Sequence, residues 1–446
     1  MTSAFQSQSL SHRISRNTVG IFAFRGASFA VNLLLVPISL SYLGTTQYGV
    51  WITIASVANW VGFFDFGLGN GLRNRLSESL ATEDFVRSRG YLSSAYFALG
   101  VMAIVLTGGM LLASHLLDWI VLLNAPSAMR DDLAWVAASV FGFLGLRLGL
   151  GLVNSLLYAD QRPALVSLLD VLGSLLSFAS VYAISRNTQH SIILFGIASS
   201  YGPAVVLLVA SVILFSTRYR KIAPHYRMFR RDLSSEMIFL GAKFFVLQVV
   251  GVVLFATTSV MIAHLFGPDE VAVYAVAFRY YALPMTGFNM LLVPYWSAYT
   301  QAFAIGEFEW IRSSIHRLRG YLWWLLLLLL LMMFFAEDIY TVWIKTEVGL
   351  PGALSVALVL YVLISSWCNI HVNLINGVGK LNLQIVFALS SVVLFIPLSY
   401  VLSTKIILGG AGIVAAICIV LLPACILWPI QSSKLLRGTA SGIWGA

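Results

Sequence analysis

The sequence predicts an all-α integral membrane fold of twelve transmembrane helices, on three observations. Hydrophobic residues make up 59% of the 446 and charged residues only 10%, far from the roughly 45–50% apolar and about 25% charged of soluble domains. Uncharged apolar runs of about 20 residues, enough to cross roughly 30 Å of hydrocarbon, recur along the whole chain. Lys and Arg collect on alternate connections between those runs, the asymmetry expected of a multi-pass protein. No stretch is left for a soluble domain of useful size. The net charge of +9 therefore concerns orientation and cavities, and nucleic acid is not an expected partner.

Runs of spanning length fall at 17–42, 47–71, 90–114, 132–158, 164–184 and 192–215, then at 236–265, 271–300, 320–336, 352–376, 383–403 and 410–430. Several exceed the minimum length, so tilt or extension beyond the bilayer is expected. Residues 1–16 are polar, basic and serine-rich, with no cleavage-like small-residue site before the first run. They read as a cytoplasmic tail ahead of an uncleaved anchor. The short, mostly apolar segment "SHLLDWIVLLNAPSAMR" (114–130) reads as an interfacial helix. The link "STRYRKIAPHYRMFRRDLSSE" (216–236) is the longest hydrophilic stretch and carries the densest positive charge. It divides the chain into an N-terminal six-helix bundle (17–215), a basic cytoplasmic linker (216–235), a C-terminal six-helix bundle (236–430) and a cytoplasmic tail (431–446).

Nineteen Lys and Arg residues fall in the tails and even-numbered connections, against Arg130, Arg186, Lys345 and Lys405 on the other side. Both termini are accordingly expected in the cytoplasm. Two internal echoes support a repeat. "LGTTQYGVW" (43–51) and "FGPDEVAVY" (266–274) join the first two helices of each half, and an Asn precedes a basic residue at the end of each fourth helix, Asn154 before Arg162 and Asn373 before Lys380. Six helices per half make the repeats parallel, with the substrate site expected in a central cleft between them.

The stretch "DFGLGNGLRNR" (65–75) looks like a phosphate-binding turn. A dinucleotide loop needs G-x-G-x-x-G opening a helix after a strand, whereas Gly67 and Gly69 are followed by Leu72 and preceded by a long apolar run. These glycines are instead expected to end the second helix, with Arg73 and Arg75 holding it at the lipid headgroups. Asp65 is left without a role. Cys368, Cys418 and Cys425 lie in apolar runs without metal-like spacing and read as packing residues. Trp51, Trp119, Trp135, Trp343 and Trp428 read as interface-belt residues.

Four basic residues stay inside helices: Arg25, Arg147, Lys243 and Arg279, with Asp65 and Asp170 as the acids. Each costs about 2.5–3.5 kcal/mol if it faces lipid, a penalty that a wet cavity removes. Arg25 and Lys243 lie about eight residues from their cytoplasmic ends, within partial reach of snorkelling. Arg147 and Arg279 are deeper and are the stronger cavity candidates. At about 100° per residue, Arg25, Ser28 and Asn32 share a face, as do Arg147, Asn154 and Tyr158, and Asp170 with Ser174 and Ser177. Arg279 and Asn289 share a broader face, and Ser366, Asn369, Asn373 and Asn376 form a row that either meets substrate or joins helices. The substrate-binding set is thus Arg25, Arg147, Lys243, Arg279, Asn32, Asn154, Asn289, Asn369 and Asn373. Asp65 and Asp170 are either ion-pair partners or ion-coupling sites. No catalytic residue, metal or cofactor is expected.

"YLGTTQYGVW" (42–51), "DFGLGNGLRNRLSE" (65–78) and the paired six-helix halves resemble the polysaccharide transporters of the multidrug/oligosaccharidyl-lipid/polysaccharide (MOP) flippase superfamily, most of all O-antigen flippases. That resemblance covers essentially the whole chain. It implies alternating-access movement of an undecaprenyl-diphosphate-linked oligosaccharide across the bacterial inner membrane for surface polysaccharide, including the O-antigen of lipopolysaccharide. Membrane lipids, H+ or Na+ as candidate coupling ion and a polysaccharide polymerase are the candidate partners. The charges agree independently: a lipid diphosphate brings about two negative charges that arginine forks satisfy bidentately. Two alternatives remain. A multidrug or cation antiporter of the same superfamily should have an acid-rich cavity, and a membrane polysaccharide polymerase or ligase should carry catalytic side chains on a sizeable outer loop.

Overall fold

Glycines set where the helices break. The computed structural model describes the backbone of residues 2–61, 65–123, 125–187, 190–344, 352–406 and 408–445, and the side chains of 13–55, 65–121, 125–187, 190–267, 270–340, 352–406 and 408–445. In it α1 (Thr2–Val61) is interrupted at Gly44, with φ 71° and ψ 170°. α9 (Arg231–Phe266) and α10 (Pro268–Ala304) meet at Gly267, with φ 92° and ψ 170°. That region of backbone space is open essentially to glycine alone. Nothing lies within 4 Å of where a Cβ would stand at either position, so conformation and not crowding selects the residue.

The echo extends to the helix ends. Thr82, Glu83 and Asp84 close α2 (Leu68–Ala81) by donating to Glu78, Leu80 and Ser79 carbonyls, and Ile305, Gly306 and Glu307 close α10 by donating to Gln301, Phe303 and Ala302. The same number of residues separates Gly44 from Gly267 as Glu83 from Gly306. Asp160, Gln161 and Arg162 repeat the pattern after α6 (Leu152–Ala159), and Arg437, Gly438 and Thr439 after α16 (Ala424–Leu436). Each is a left-handed helix end that satisfies the last carbonyls, with positive φ at Glu83, Gln161, Gly306 and Gly438.

The chain divides into two compact units, residues 9–242 and residues 243–446 with 1–8. The first holds α2, α3 (Phe85–Leu116), α4 (Trp119–Leu123), α5 (Arg130–Leu150), α6, α7 (Pro163–Asn187) and α8 (Ile192–Ser216), with most of α1 and the start of α9. The second holds the rest of α9, α10, α11 (Phe308–Phe334), α12 (Ala336–Ile344), α13 (Gly352–Val378), α14 (Asn382–Tyr400), α15 (Gly410–Leu421) and α16. Among the described residues, ten helices are long and apolar enough to cross a membrane, by length and composition. The helix after Gly44 and α10 account for the other two expected runs.

Several boundaries differ from the expected runs. The run 132–158 is divided at Gly151 into α5 and α6, 410–430 is divided at Pro423, and 383–403 ends in a π-helical turn over Val401–Lys405. The segment 114–130 makes only the short α4 and a 3-10 turn at Ser127–Met129, tied by Arg130 donating to Asp118 at 3.1 Å.

The largest correction concerns 65–75. Rather than ending a spanning helix, Gly67 (φ 74°) starts a new one, α2. Asp65 Oδ1 accepts the Gly67 N–H at 2.9 Å, so the acid serves the turn. A Cβ on Gly71 would stand 2.6 Å from the Met237 carbonyl oxygen, so glycine lets α2 cross the start of α9 at backbone contact. Leu72 and Leu76 then pack with Leu92, Leu156 and Leu157, all fully buried. Arg73 is buried over the Tyr158 ring, and Arg75 pairs with Glu78 at 3.1 Å and Glu236 at 2.9 Å.

The basic link 216–235 is likewise packed. His225 and Arg230 donate backbone N–H groups to Ser93 and Ser94 hydroxyls at 3.0 Å, and Arg89 Nε donates to the Ala223 carbonyl at 3.0 Å. The belt expectation also changes. Trp51 packs edge-on to Phe195, the Trp119 indole donates to the Ser114 carbonyl, and Trp428 packs on Phe387, all buried. Trp135 is exposed, and the Trp343 side chain lies outside the described residues.

Candidate functional site

In the first unit, helices α1, α2, α5, α6 and α7 bring together charges far apart in sequence. α1 approaches α7 closely because Gly20 leaves room for Ala164, where a Cβ would stand 2.7 Å away. Higher up the same pair, Ser28 and Ser174 hydroxyls are 3.2 Å apart. Arg25 and Arg147 both act electrostatically on the exposed Asp170 carboxylate. Arg25 also acts electrostatically on Tyr158, and the Arg73 guanidinium sits 4.8 Å from its ring centroid. Arg73 and Arg25 therefore act on the phenol, and Arg147 and Arg25 on the carboxylate.

Neutralisation is incomplete. Among the described residues no carboxylate oxygen comes within 4 Å of Arg25 or Arg147, and both side chains are exposed on the protein. Burial lowers the Arg73 pKa from its ordinary 12.5 to about 10, which still leaves it protonated at neutral pH. Asn154, one turn before Tyr158, has a buried side-chain oxygen with no hydrogen-bond partner. Asn32 instead donates to the Ser28 carbonyl of its own helix at 2.8 Å. The cluster can accept an anion with several oxygen acceptors, because guanidiniums offer paired donors.

The second unit differs. Asn369 on α13 donates to Asn289 on α10 at 3.1 Å, and Asn373 donates to the Asn369 carbonyl at 2.8 Å. The first of these bonds joins two helices, as polar residues do in membranes, and the second stays within α13. Arg279 is exposed and, among the described residues, its side chain makes no hydrogen bond or ion pair. Lys243 is half-buried and feels the like charge of Lys380. Among the described residues no group of His, Cys, Asp and Glu could hold a metal ion.

Of the residues expected from sequence, Arg25, Arg147 and Asp170 are brought together and Asp65 is not. Arg73 and Tyr158 were not in the expected set. The leucine spacing at 68, 72 and 76 was the available signal, since it marks a buried helical face that carries Arg73 inward with it.

No family model matches the chain. Solved structures match it over nearly its whole length. A multidrug resistance MATE family transporter of the MOP superfamily, in its outward-facing conformation, superposes with a TM-score of 0.79 at 15% identity over 96% of each chain. The Vibrio cholerae MATE transporter VcmN in its bent form gives 0.78 at 13% over 98% of this chain and 99% of that one. The chain shares the fold of these transporters. A third MOP-superfamily transporter, from Pyrococcus furiosus, gives 0.79 at 15% over 96% of each chain and is described by the reverse polarity of its binding pocket. In sequence, the chain is similar to two proteins named "Putative O-antigen transporter". That of Salmonella typhi is 21% identical over 79% of this chain and 81% of its own length, and that of Salmonella typhimurium is 21% identical over 91% and 93%. Within this fold the basic cluster belongs to residues 9–242 and the asparagine row to residues 243–446.

Proposed function

We propose that the protein is a flippase for a lipid-linked oligosaccharide of the undecaprenyl-diphosphate type, working by alternating access in the bacterial inner membrane with both termini cytoplasmic. The observation that carries this reading is the Arg25, Arg73 and Arg147 cluster, where guanidiniums outnumber carboxylates among spanning helices. A diphosphate supplies the missing negative charge and the acceptor oxygens, while the prenyl tail stays in lipid. Asp170 acts electrostatically on Arg25 and Arg147 without a direct ion pair when the site is empty. Asn154 and its unpartnered oxygen offer an acceptor to a sugar hydroxyl.

Similarity to the Salmonella O-antigen transporters supports the same substrate class. Export of cations, the activity of a multidrug antiporter, is poorly served by a site in which positive groups predominate. The Pyrococcus neighbour, described by a pocket of reversed polarity, is a precedent within the fold for such a difference. The test is complementation of a flippase-deficient strain with Arg147→Gln. Surface polysaccharide should be lost at unchanged protein level, whereas normal polysaccharide would remove the cluster from the mechanism.

A further inference from the structure

A second basic cavity, in residues 243–446, plays no part in the reading above. It encloses about 820 Å3 where the first turns of α11 face α13 and the last turn of α16, and Arg312, Arg317, Arg319 and Arg437 line it with no acid among them. Their internal partners are few. Arg312 pairs with Glu309 and donates to the Leu436 carbonyl at 3.3 Å, while Arg317 donates only to Ser314 Oγ at 3.4 Å. Among the described residues the Arg437 guanidinium has no hydrogen-bond or ion-pair partner. Arg319 stacks 4.9 Å from the Trp367 ring centroid and donates Nη2 to His371 Nε2 at 3.2 Å, leaving its buried Nε without a partner. His371 therefore carries its proton on Nδ1, which donates to Ser432 Oγ at 3.1 Å. The imidazole is a neutral prop for Arg319.

The comparable cavity of the first unit, about 550 Å3, is partly neutralised from within. There Arg13, Arg16, Arg162 and Arg218 share the lining with Asp160. Asp160 Oδ2 alone takes Arg162 at 2.9 Å, Arg218 at 3.3 Å and the Tyr219 hydroxyl at 2.6 Å. The second cavity has no such carboxylate. Its level in the membrane is marked by Trp323 and Trp324, one turn beyond Arg319 and 74% and 71% exposed, followed by a leucine-rich run. Exposed indoles at the boundary between polar and apolar turns sit at the headgroup layer, which puts the arginines at the depth of lipid phosphates.

We infer that this cavity binds the phosphate headgroup of an anionic phospholipid. Guanidinium forks match phosphate oxygens two at a time, and basic pockets between transmembrane helices on the cytoplasmic side hold such headgroups. A resident lipid here is separate from any ligand of the Arg25 and Arg147 cluster.

The test is native mass spectrometry of the full-length protein with phosphatidylglycerol, phosphatidylcholine or inorganic phosphate. Wild type should retain phosphatidylglycerol over phosphatidylcholine, and R317Q/R437Q should lose it about tenfold, the scale of two lost solvent-exposed charge contacts. R227Q/R231Q removes the same charge from exposed positions within the 216–235 link and should retain the lipid, and R317K/R437K, which keeps the charge without the forks, should retain more of it than R317Q/R437Q. Equal retention of the two lipids, equal loss in the R227Q/R231Q control, or displacement of phosphatidylglycerol by millimolar phosphate would overturn the assignment. Matching thermal melts exclude misfolding as the cause of loss.

Discussion

Replacing Gly44 by Ala should destabilise the protein by about 1–3 kcal/mol, because a residue with a Cβ is strained at φ 71° and ψ 170° by that amount. Crowding contributes nothing, since no atom lies within 4 Å of the new methyl. Gly49 is the internal control. It is helical, exposed and equally uncrowded, so Ala there removes backbone freedom from the unfolded chain and should stabilise by about 0.5–1 kcal/mol. The two substitutions, identical in chemistry and five residues apart, should thus differ by roughly 1.5–4 kcal/mol in opposite directions. Gly267→Ala should follow Gly44→Ala, because Gly267 has nearly the same backbone angles and the same empty surroundings. Unfolding of each purified variant by SDS in mixed micelles, followed by tryptophan fluorescence, measures the differences. If Gly44→Ala is as stable as Gly49→Ala, backbone conformation does not select glycine at the kink and that explanation is wrong.

Asp170→Asn should tighten binding of a diphosphate lipid headgroup by up to about fivefold, because it removes a carboxylate whose exposed, longer-range attraction for Arg25 and Arg147 is worth no more than a solvent-exposed ion pair. Weaker binding, measured by titration of the purified protein, would mean that Asp170 organises the site instead of occupying it. At alkaline pH, burial and then the Asp160 carboxylate, which accepts its hydroxyl, raise the Tyr219 phenol above its ordinary 10. An acid whose folded pKa is raised stabilises the fold fully below the unfolded value and loses that contribution as pH rises towards the folded one. Stability should therefore decline above about pH 10 in wild type, and less steeply in Tyr219→Phe. Parallel slopes would show that the Tyr219 to Asp160 bond carries no linkage.

Element types and most spans were legible because apolar length and charge spacing act locally. Boundaries were lost where a single residue redirected the chain. Gly67 looks like a helix end in sequence, yet its left-handed conformation starts α2 and turns Arg73 from a membrane surface to the Tyr158 ring. Trp51, Trp119 and Trp428 sit near run ends, where indoles often meet headgroups. Whether they do depends on partners such as Phe195, the Ser114 carbonyl and Phe387, which are distant in sequence or in a neighbouring turn. The cluster itself was half legible. Helical phase grouped Arg147 with Tyr158 and Arg25 with Ser28, but only packing of α1 on α7 through Gly20 and Ala164 brings Arg25 to Asp170.

Charge balance at that cluster bears on how a membrane potential could drive the proposed cycle. Arg25, Arg73 and Arg147 carry three positive charges and Asp170 one negative, and a diphosphate adds about two negative charges. A loaded site is then close to neutral, while an empty one is about two charges positive. A potential does no work on a neutral loaded site, so an inside-negative membrane acts mainly on the return of the empty site towards the cytoplasm. Over the full field that return gains about 4.6 kcal/mol per 100 mV, the same total as moving the headgroup charge outward in one step. Arg25 and Arg147, with no carboxylate oxygen within 4 Å among the described residues, are what place the driving force on the return. A full set of carboxylates would cancel it, and with Asn at 170 the loaded site keeps one positive charge and must carry it outward against the field.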